Sequence, residues 1–135
     1  MKKQQVRRFY SELWDAHDTR AISEILEPDF SFRGSLGQHK IGHQGFCDYV
    51  AMVHAALDNY LCTVQELVEE GDKVFAKMSF SGIHRADFMG YAATGERVTW
   101  SGCALFSFNA ARICDVWVLG DLKSLENQLE EQRKG

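Results

Sequence analysis

From about residue 60 the hydrophobic pattern of the chain changes period. Four successive runs, "YLCTVQELVEE", "KVFAKMSFSGIH", "RVTWSGCALFSF" and "RICDVWVL", alternate apolar and polar residues. A two-residue period sends neighbouring side chains to opposite faces of a strand, so each run can bury one face and wet the other. Gly71-Asp72 turns the first run into the second, and "NAA" turns the third into the fourth. Before residue 60 the period is helical. Val6, Phe9, Tyr10, Leu13 and Trp14 form one stripe, which predicts a helix over residues 3–16. "TRAISEIL" predicts a second, short helix capped by Asp18 and ended by Pro28, and Phe46, Val50, Val53 and Leu57 mark a third. "DFSF" suits a short strand, and Leu122, Leu125 and Leu129 mark a C-terminal helix. "RGSLGQHKIGHQG" and "RADFMGYAATGE" read as loops. Helices, a strand, a helix, four antiparallel strands and a helix make an α+β domain, with helices packed on one face of a curved antiparallel sheet.

The 135 residues fit one domain, 1–135, large enough to build a core without disulfides or metal. The formal charge of −4 and a single basic cluster, Lys2, Lys3, Arg7 and Arg8, argue against a nucleic-acid partner. No apolar run approaches the roughly 20 residues of a membrane span. The charged start leads into no apolar segment of the secretory kind. Cys47, Cys62, Cys103 and Cys114 form no C-x-x-C pair and are read as reduced thiols. A cytoplasmic location is therefore expected.

Alternation assigns side chains to faces. In the third long strand Val98, Trp100, Gly102, Ala104 and Phe106 share the apolar face. In the fourth, Cys114, Val116 and Val118 form one set, and Ile113, Asp115 and Trp117 the other. His39 and His43 have the H-x-x-x-H spacing of metal ligands, but Gly42 lies between them and no third ligand is evident, so no metal site is expected. His43 is expected at a helix start, facing a pocket, and His54 at the core boundary. There is no phosphate loop, dinucleotide fingerprint or nucleophile elbow, and no cofactor is implied. Tyr10, Trp14, Phe32, Tyr49, Trp100 and Phe106 could form an aromatic cage or plain core.

The element order, together with "EPDF", "GHQGF", "LVEEGDKV", "SGIHRADFMGYAATGERVTW" and "VWVLGDLKSLENQL", resembles the SnoaL-like polyketide cyclases of the nuclear transport factor 2-like superfamily. The resemblance implies a cone: a curved sheet and N-terminal helices enclosing a deep apolar pocket for a small hydrophobic molecule. It also implies a homodimer. Relatives include cyclases, isomerases, epoxide hydrolases and non-catalytic binders, among which fold alone does not choose.

In the cyclases resembled, an aspartate directly after the tryptophan of the last strand moves protons during an aldol ring closure. General acid–base catalysis of this kind contributes typically about 10²–10⁴-fold. A polar partner, often histidine, stands fourteen residues earlier. Here these positions hold Val118 and Ala104, and Val116 replaces another residue that is often histidine. Valine cannot abstract a proton, so the ordinary cyclase reaction is not expected, and Ala104 and Val118 become hydrocarbon walls of the pocket. His84 matches a histidine common in the family; it is either a pocket-mouth base or the brace of a loop. Arg33 stands where relatives often carry histidine; it either grips an anionic or carbonyl group or makes a surface ion pair. Asp121 either joins them in the pocket or caps the last helix. Arg85-Ala-Asp87 resembles the Arg-x-Asp of limonene-epoxide-hydrolase-like relatives, with no evident third aspartate. Two classes of function follow. One is an enzyme acting on a carbonyl, lactone or epoxide-like compound through His84, Arg33 and Asp121. The other is a non-catalytic binding or dimeric interaction domain.

Overall fold

The computed structural model describes residues 1–134. Helix α1 (Lys2–Arg8) runs directly into a π-helical segment, Phe9–Asp15. Its wider winding, closed by a bond from Ala16 N to Ser11 O of 3.0 Å, turns Phe9, Tyr10, Leu13 and Trp14 all inward. The helix expected over 3–16 is thus present, but its second half is wound more loosely than an α-helix. Helix α2 is only Ile22–Ile25, because Asp18 binds the backbone N–H of Arg20 at 3.0 Å and its side chain at 2.7 Å instead of capping. Strand β1 (Leu26–Arg33) includes Pro28. A short strand β2 (His39–Ile41) lies within the glycine-rich stretch expected to be loop, and helix α3 (Gly42–Ala56) follows. The long strands are β3 (Leu57–Glu70), β4 (Lys73–His84), β5 (Arg97–Asn109) and β6 (Arg112–Gly120), and α4 (Leu122–Lys134) ends the described chain.

The sheet order is β2-β1-β6-β5-β4-β3. All neighbours are antiparallel except β1 and β6, which run parallel. The four long strands are antiparallel as expected, and β1 alone joins the sheet by a parallel pairing, reaching β6 through a long crossover that includes α3 and the whole meander. Irregular register at Leu26/Ser31, Asp58/Leu61, Val64/Glu66 and Ser107/Phe108 bends the strands around the helices. The last irregularity also corrects the face assignment in β6: Ile113, grouped by alternation with Asp115 and Trp117, is fully buried beside Phe108.

Strand β6 ends opposite Gly102, which leaves the first half of β5 without a partner on that side. Helix α4 covers this edge. The Gln128 amide imitates a strand, accepting from Thr99 N at 3.0 Å and donating to Thr99 O at 2.6 Å, and Gln132 donates to Arg97 O at 2.9 Å. A covered edge cannot template pairing with another chain.

Candidate functional site

The concave side of the sheet and the N-terminal helices enclose one aromatic cavity. The π-helical segment contributes Phe9, Tyr10 and Trp14, α3 contributes Tyr49 and Val53, and β1 contributes Phe32. The sheet adds Tyr60, Phe80, Trp100 and Val118, while Ser35, Leu36 and Phe88 come from loops. The rings pack on each other, Trp14 against Tyr60 at 5.4 Å and Phe80 against Trp100 at 5.5 Å between centroids. The space open to the centre of a water-sized sphere is therefore about 20 Å³. That admits about one water, so a larger guest must displace part of the wall. Half-buried Ser35 and Leu36, on the β1–β2 loop, are its least buried members. Two glycines make the ring packing possible. A Cβ at Gly34 would lie 2.4 Å from the Tyr49 hydroxyl oxygen, and one at Gly102 would lie 2.6 Å from Phe80 Cε2 and 2.7 Å from the Leu119 carbonyl oxygen.

Polar atoms on this wall are few. Tyr49 Oη accepts from the Leu36 N–H at 3.3 Å, fastening the β1–β2 loop to α3. Burial holds the Tyr10 and Tyr60 hydroxyls well above the usual tyrosine range, so both stay protonated. Tyr10 Oη and Trp100 Nε1 are enclosed and have no partner among the described residues. Among the described residues, no carboxylate and no cationic side chain lines the cavity. Asp15, at the end of the π-helical segment, faces a surface groove shared with Tyr10 and Cys62. Its Oδ1 accepts from the Cys62 N–H at 2.9 Å, and partial burial raises its pKa despite that bond.

Val118 and Ala104 are directly opposed across β6 and β5, and both are buried, at 5% and 0% exposure. The two substitutions therefore fall on one cross-strand pair on the concave side of the sheet. Asp48 and Asp58 are exposed and do not replace the absent acid.

The three residues expected to act as polar catalytic groups are not brought together. Arg33 points to the convex side, where its guanidinium sits 5.5 Å over the Trp117 ring and donates to the Val118 carbonyl, because β1 pairs in register with β6 on that face. His84 is fully buried, but away from the cavity wall; its Nδ1 meets Thr94 Oγ1 at 3.2 Å, and Thr94 donates on to Gln132 at 3.3 Å. It braces the β4–β5 loop against α4. Asp121 is exposed and caps α4, accepting from Ser124 N at 3.1 Å, while its own N–H continues the sheet to Ser101 O at 2.8 Å. Asp115 binds the Ser31 hydroxyl on the convex side. Arg85 pairs with Asp58 at the surface at 3.2 Å and Asp87 is exposed, so no set of epoxide-hydrolase type forms.

Of the expected ligand contacts, Tyr10, Trp14, Phe32, Tyr49, Trp100 and Val118 line the cavity. His43, Ala104 and Phe106 do not. His43 Nε2 lies 3.1 Å from the carbonyls of both Leu26 and Glu27 and ties α3 to β1. Ala104 is too short to reach the wall, and Phe106 packs edge-on against Phe9 at 5.3 Å, behind it. His54 Nε2 donates to the Trp14 carbonyl at 2.6 Å, closing the end of the π-helical segment. Tyr60 and Phe80 belong to the wall and were open to strand alternation. Ser35, Leu36 and Phe88 come from irregular segments that carry no periodic signal.

The sequence pattern of the SnoaL-like polyketide cyclase family matches residues 4–129. The chain belongs to this family. Three solved structures illustrate the shared fold. A candidate polyketide cyclase from Acidithiobacillus ferrooxidans is 21% identical, with a TM-score of 0.85 over 97% of this chain and 95% of its own. TsrD from Streptomyces laurentii is 24% identical, with a TM-score of 0.82 over 94% and 92%. IdmH from Streptomyces antibioticus, also a candidate polyketide cyclase, is 22% identical, with a TM-score of 0.82 over 96% and 99%. At these identities the likeness concerns the fold. No curated protein matches the chain. Among the described residues, this SnoaL-like chain has no helix long and apolar enough to cross a membrane and no cluster of three or more metal-ligating side chains.

Proposed function

We propose that this SnoaL-like protein takes a small, mainly apolar molecule into its aromatic cavity, and that it does so without the carboxylate acid–base chemistry of the cyclases. The observation that carries the reading is the wall itself: nine aromatic rings, Val118 in place of an acid, and no charged group among the described residues. Such a surface rewards hydrocarbon burial at about 25 cal/mol per Å² and offers a base nowhere to stand. Titration with toluene and cumene, followed by calorimetry and by the emission of Trp14 and Trp100, tests it. Saturable binding is expected in the natural protein and its loss in Val118→Phe, which fills the cavity. Equal binding by both proteins, or none by either, refutes the reading.

The convex side supports a homodimer as a second part of the proposal. Val68, Phe75, Leu105 and Trp117 stand in direct register across β3 to β6 and are each 38–56% exposed. On the same face Glu66 and Glu70 of β3 adjoin Lys77 and Lys73 of β4. A copy related by a two-fold axis could set one basic row against the other's acidic row, with the apolar stripes in contact. Sedimentation should give a dimer for the natural protein and a monomer for Leu105→Glu/Trp117→Lys. A natural protein that stays monomeric at 100 μM (roughly a hundred times the Kd of a micromolar dimer) excludes it.

A further inference from the structure

The carbonyls at the end of a helix need partners from outside it. In an α-helix the Trp14 carbonyl would accept from the N–H four residues on. Asp18 N donates instead to Glu12 O at 2.8 Å, and the Trp14 carbonyl is met by His54 Nε2 of α3 at 2.6 Å. The His17 ring lies flat on that same imidazole, with centroids 4.6 Å apart and planes 11° from parallel. The His17 backbone there has a φ of 51°, a left-handed conformation uncommon outside glycine. His17 is exposed and His54 half-buried. Two stacked histidines thus close the end of the segment that carries Phe9, Tyr10 and Trp14 into the cavity wall.

We infer that the His17–His54 stack is an acid-sensitive latch on this wall: neutral, it holds the Trp14 turn in place, and with both rings charged it parts and releases that turn. Stacked rings carry their lone pairs in nearly parallel planes, so the pair cannot converge on one metal ion; what it can take up near neutral pH is protons. The bond to the Trp14 carbonyl fixes neutral His54 as the Nε2–H tautomer and leaves Nδ1 to receive the proton. Burial, and then the charge on His17, hold the His54 pKa below the ordinary 6.5, against the pull of the Trp14 carbonyl. The neighbouring groups offer no relief. Strand β3 presents Tyr60, edge-on at 5.8 Å and kept neutral by burial. Asp15 is bonded to Cys62 N, Asp18 to Arg20 and Asp58 to Arg85, and Asp48, on the same helix as His54, lies more than a turn away beside Gln44. A lowered folded-state pKa means that the fold favours the neutral ring. The latch therefore contributes its full stability above pH 6.5 and loses it as pH falls through the lowered value. This holds whichever guest the cavity takes.

Fluorine NMR of the full chain labelled with 5-fluorotryptophan tests this, with no guest added and the Trp14 resonance assigned through Trp14→Phe. On titration from about pH 8 to about pH 5 the Trp14 resonance should shift reversibly, with a midpoint below 6.5 that matches the His54 ring resonances. His54→Gln keeps a side-chain N–H for the Trp14 carbonyl but cannot titrate, and should abolish the shift. His17→Gln, at an exposed position, should raise the His54 midpoint by removing the neighbouring charge and should also abolish the Trp14 shift, so the test does not depend on His54→Gln folding. A Trp14 resonance that stays constant over this range overturns the inference. So does a shift that survives in His54→Gln, or a His54 midpoint that His17→Gln leaves unchanged. A Trp14 shift accompanied by loss of far-ultraviolet circular dichroism is global unfolding and overturns it as well.

Discussion

Restoring the missing acid is the most direct test of how the cavity is built. Val118→Asp places a carboxyl group opposite Ala104, on a wall where no described residue supplies a cation. Removing the buried valine side chain forfeits about 1.5–3 kcal/mol of apolar burial. Even a neutral carboxyl with imperfect partners adds about 1–3 kcal/mol, and its ionised form adds more. A loss of about 3–5 kcal/mol is therefore expected at acidic pH. For a chain of 135 residues the unfolding entropy is about 0.28 kcal/mol per kelvin, so each 1 kcal/mol lowers Tm by about 3.5 °C and the variant should melt about 10–17 °C below the natural protein. The sign of the pH dependence follows from burial. A dry site raises the folded-state pKa of the new aspartate above its unfolded value near 3.9. The ionisation penalty is then absent below about pH 4 and grows as pH rises toward the folded pKa, by about 1.4 kcal/mol per unit. Thermal unfolding of both proteins, followed by circular dichroism at pH 5 and pH 8, should show the deficit widening at pH 8. A variant within 2 °C of the natural protein at pH 8 (less than about 1 kcal/mol) would mean that solvent or a cation already faces position 118, and the dry-wall argument would be wrong. Adding Ala104→His should recover part of the loss, because the two positions are cross-strand neighbours.

Three further outcomes follow from individual residues. Asp121→Ala should cost about 1 kcal/mol through loss of the bond to Ser124 N while leaving guest affinity unchanged; an affinity loss without a change in Tm would return Asp121 to the site. Asp15 has a pKa raised by burial, so its contribution favours folding below the ordinary carboxylate range and is lost as pH rises through the raised value. Asp15→Asn, whose amide oxygen can still accept from Cys62 N, should flatten that part of the stability profile, as chemical denaturation at pH 4 and pH 7 would reveal. Gly34→Ala should displace the Tyr49 ring, loosen the β1–β2 loop and lower stability by about 1–3 kcal/mol; unchanged stability would show that the loop backbone yields instead.

Much of the fold was open to reading because it rests on local periodicity. The two-residue alternation set the faces of β5, where Val98, Trp100, Ala104 and Phe106 are buried as read, and the helical stripe from Val6 to Trp14 is buried throughout. Where a local irregularity intervened, the reading slipped: the bulge near Ser107 carried Ile113 inward, and Asp18 satisfied Arg20 instead of a helix. For the cavity, alternation was enough for Trp100 and Val118 but silent about Ser35, Leu36 and Phe88, which lie in segments without a period.

The sequence by itself determined the α+β architecture, the absence of an aspartate at 118 and of a polar partner at 104, and the amphipathic character of every long strand. These depend on residue identity and on spacing along one strand or helix turn. Tertiary structure alone decided where Arg33 and His84 point. Each carries a polar side chain with a partner far away in the chain, so its direction is set by strand pairing and helix docking: Trp117 and the Val118 carbonyl for Arg33, Thr94 and Gln132 for His84, whereas Asp121 caps α4 through Ser124, only three residues on. The same packing set Tyr10 and Trp100, 90 residues apart, on the wall of one aromatic cavity, a relation that no spacing rule along the chain contains.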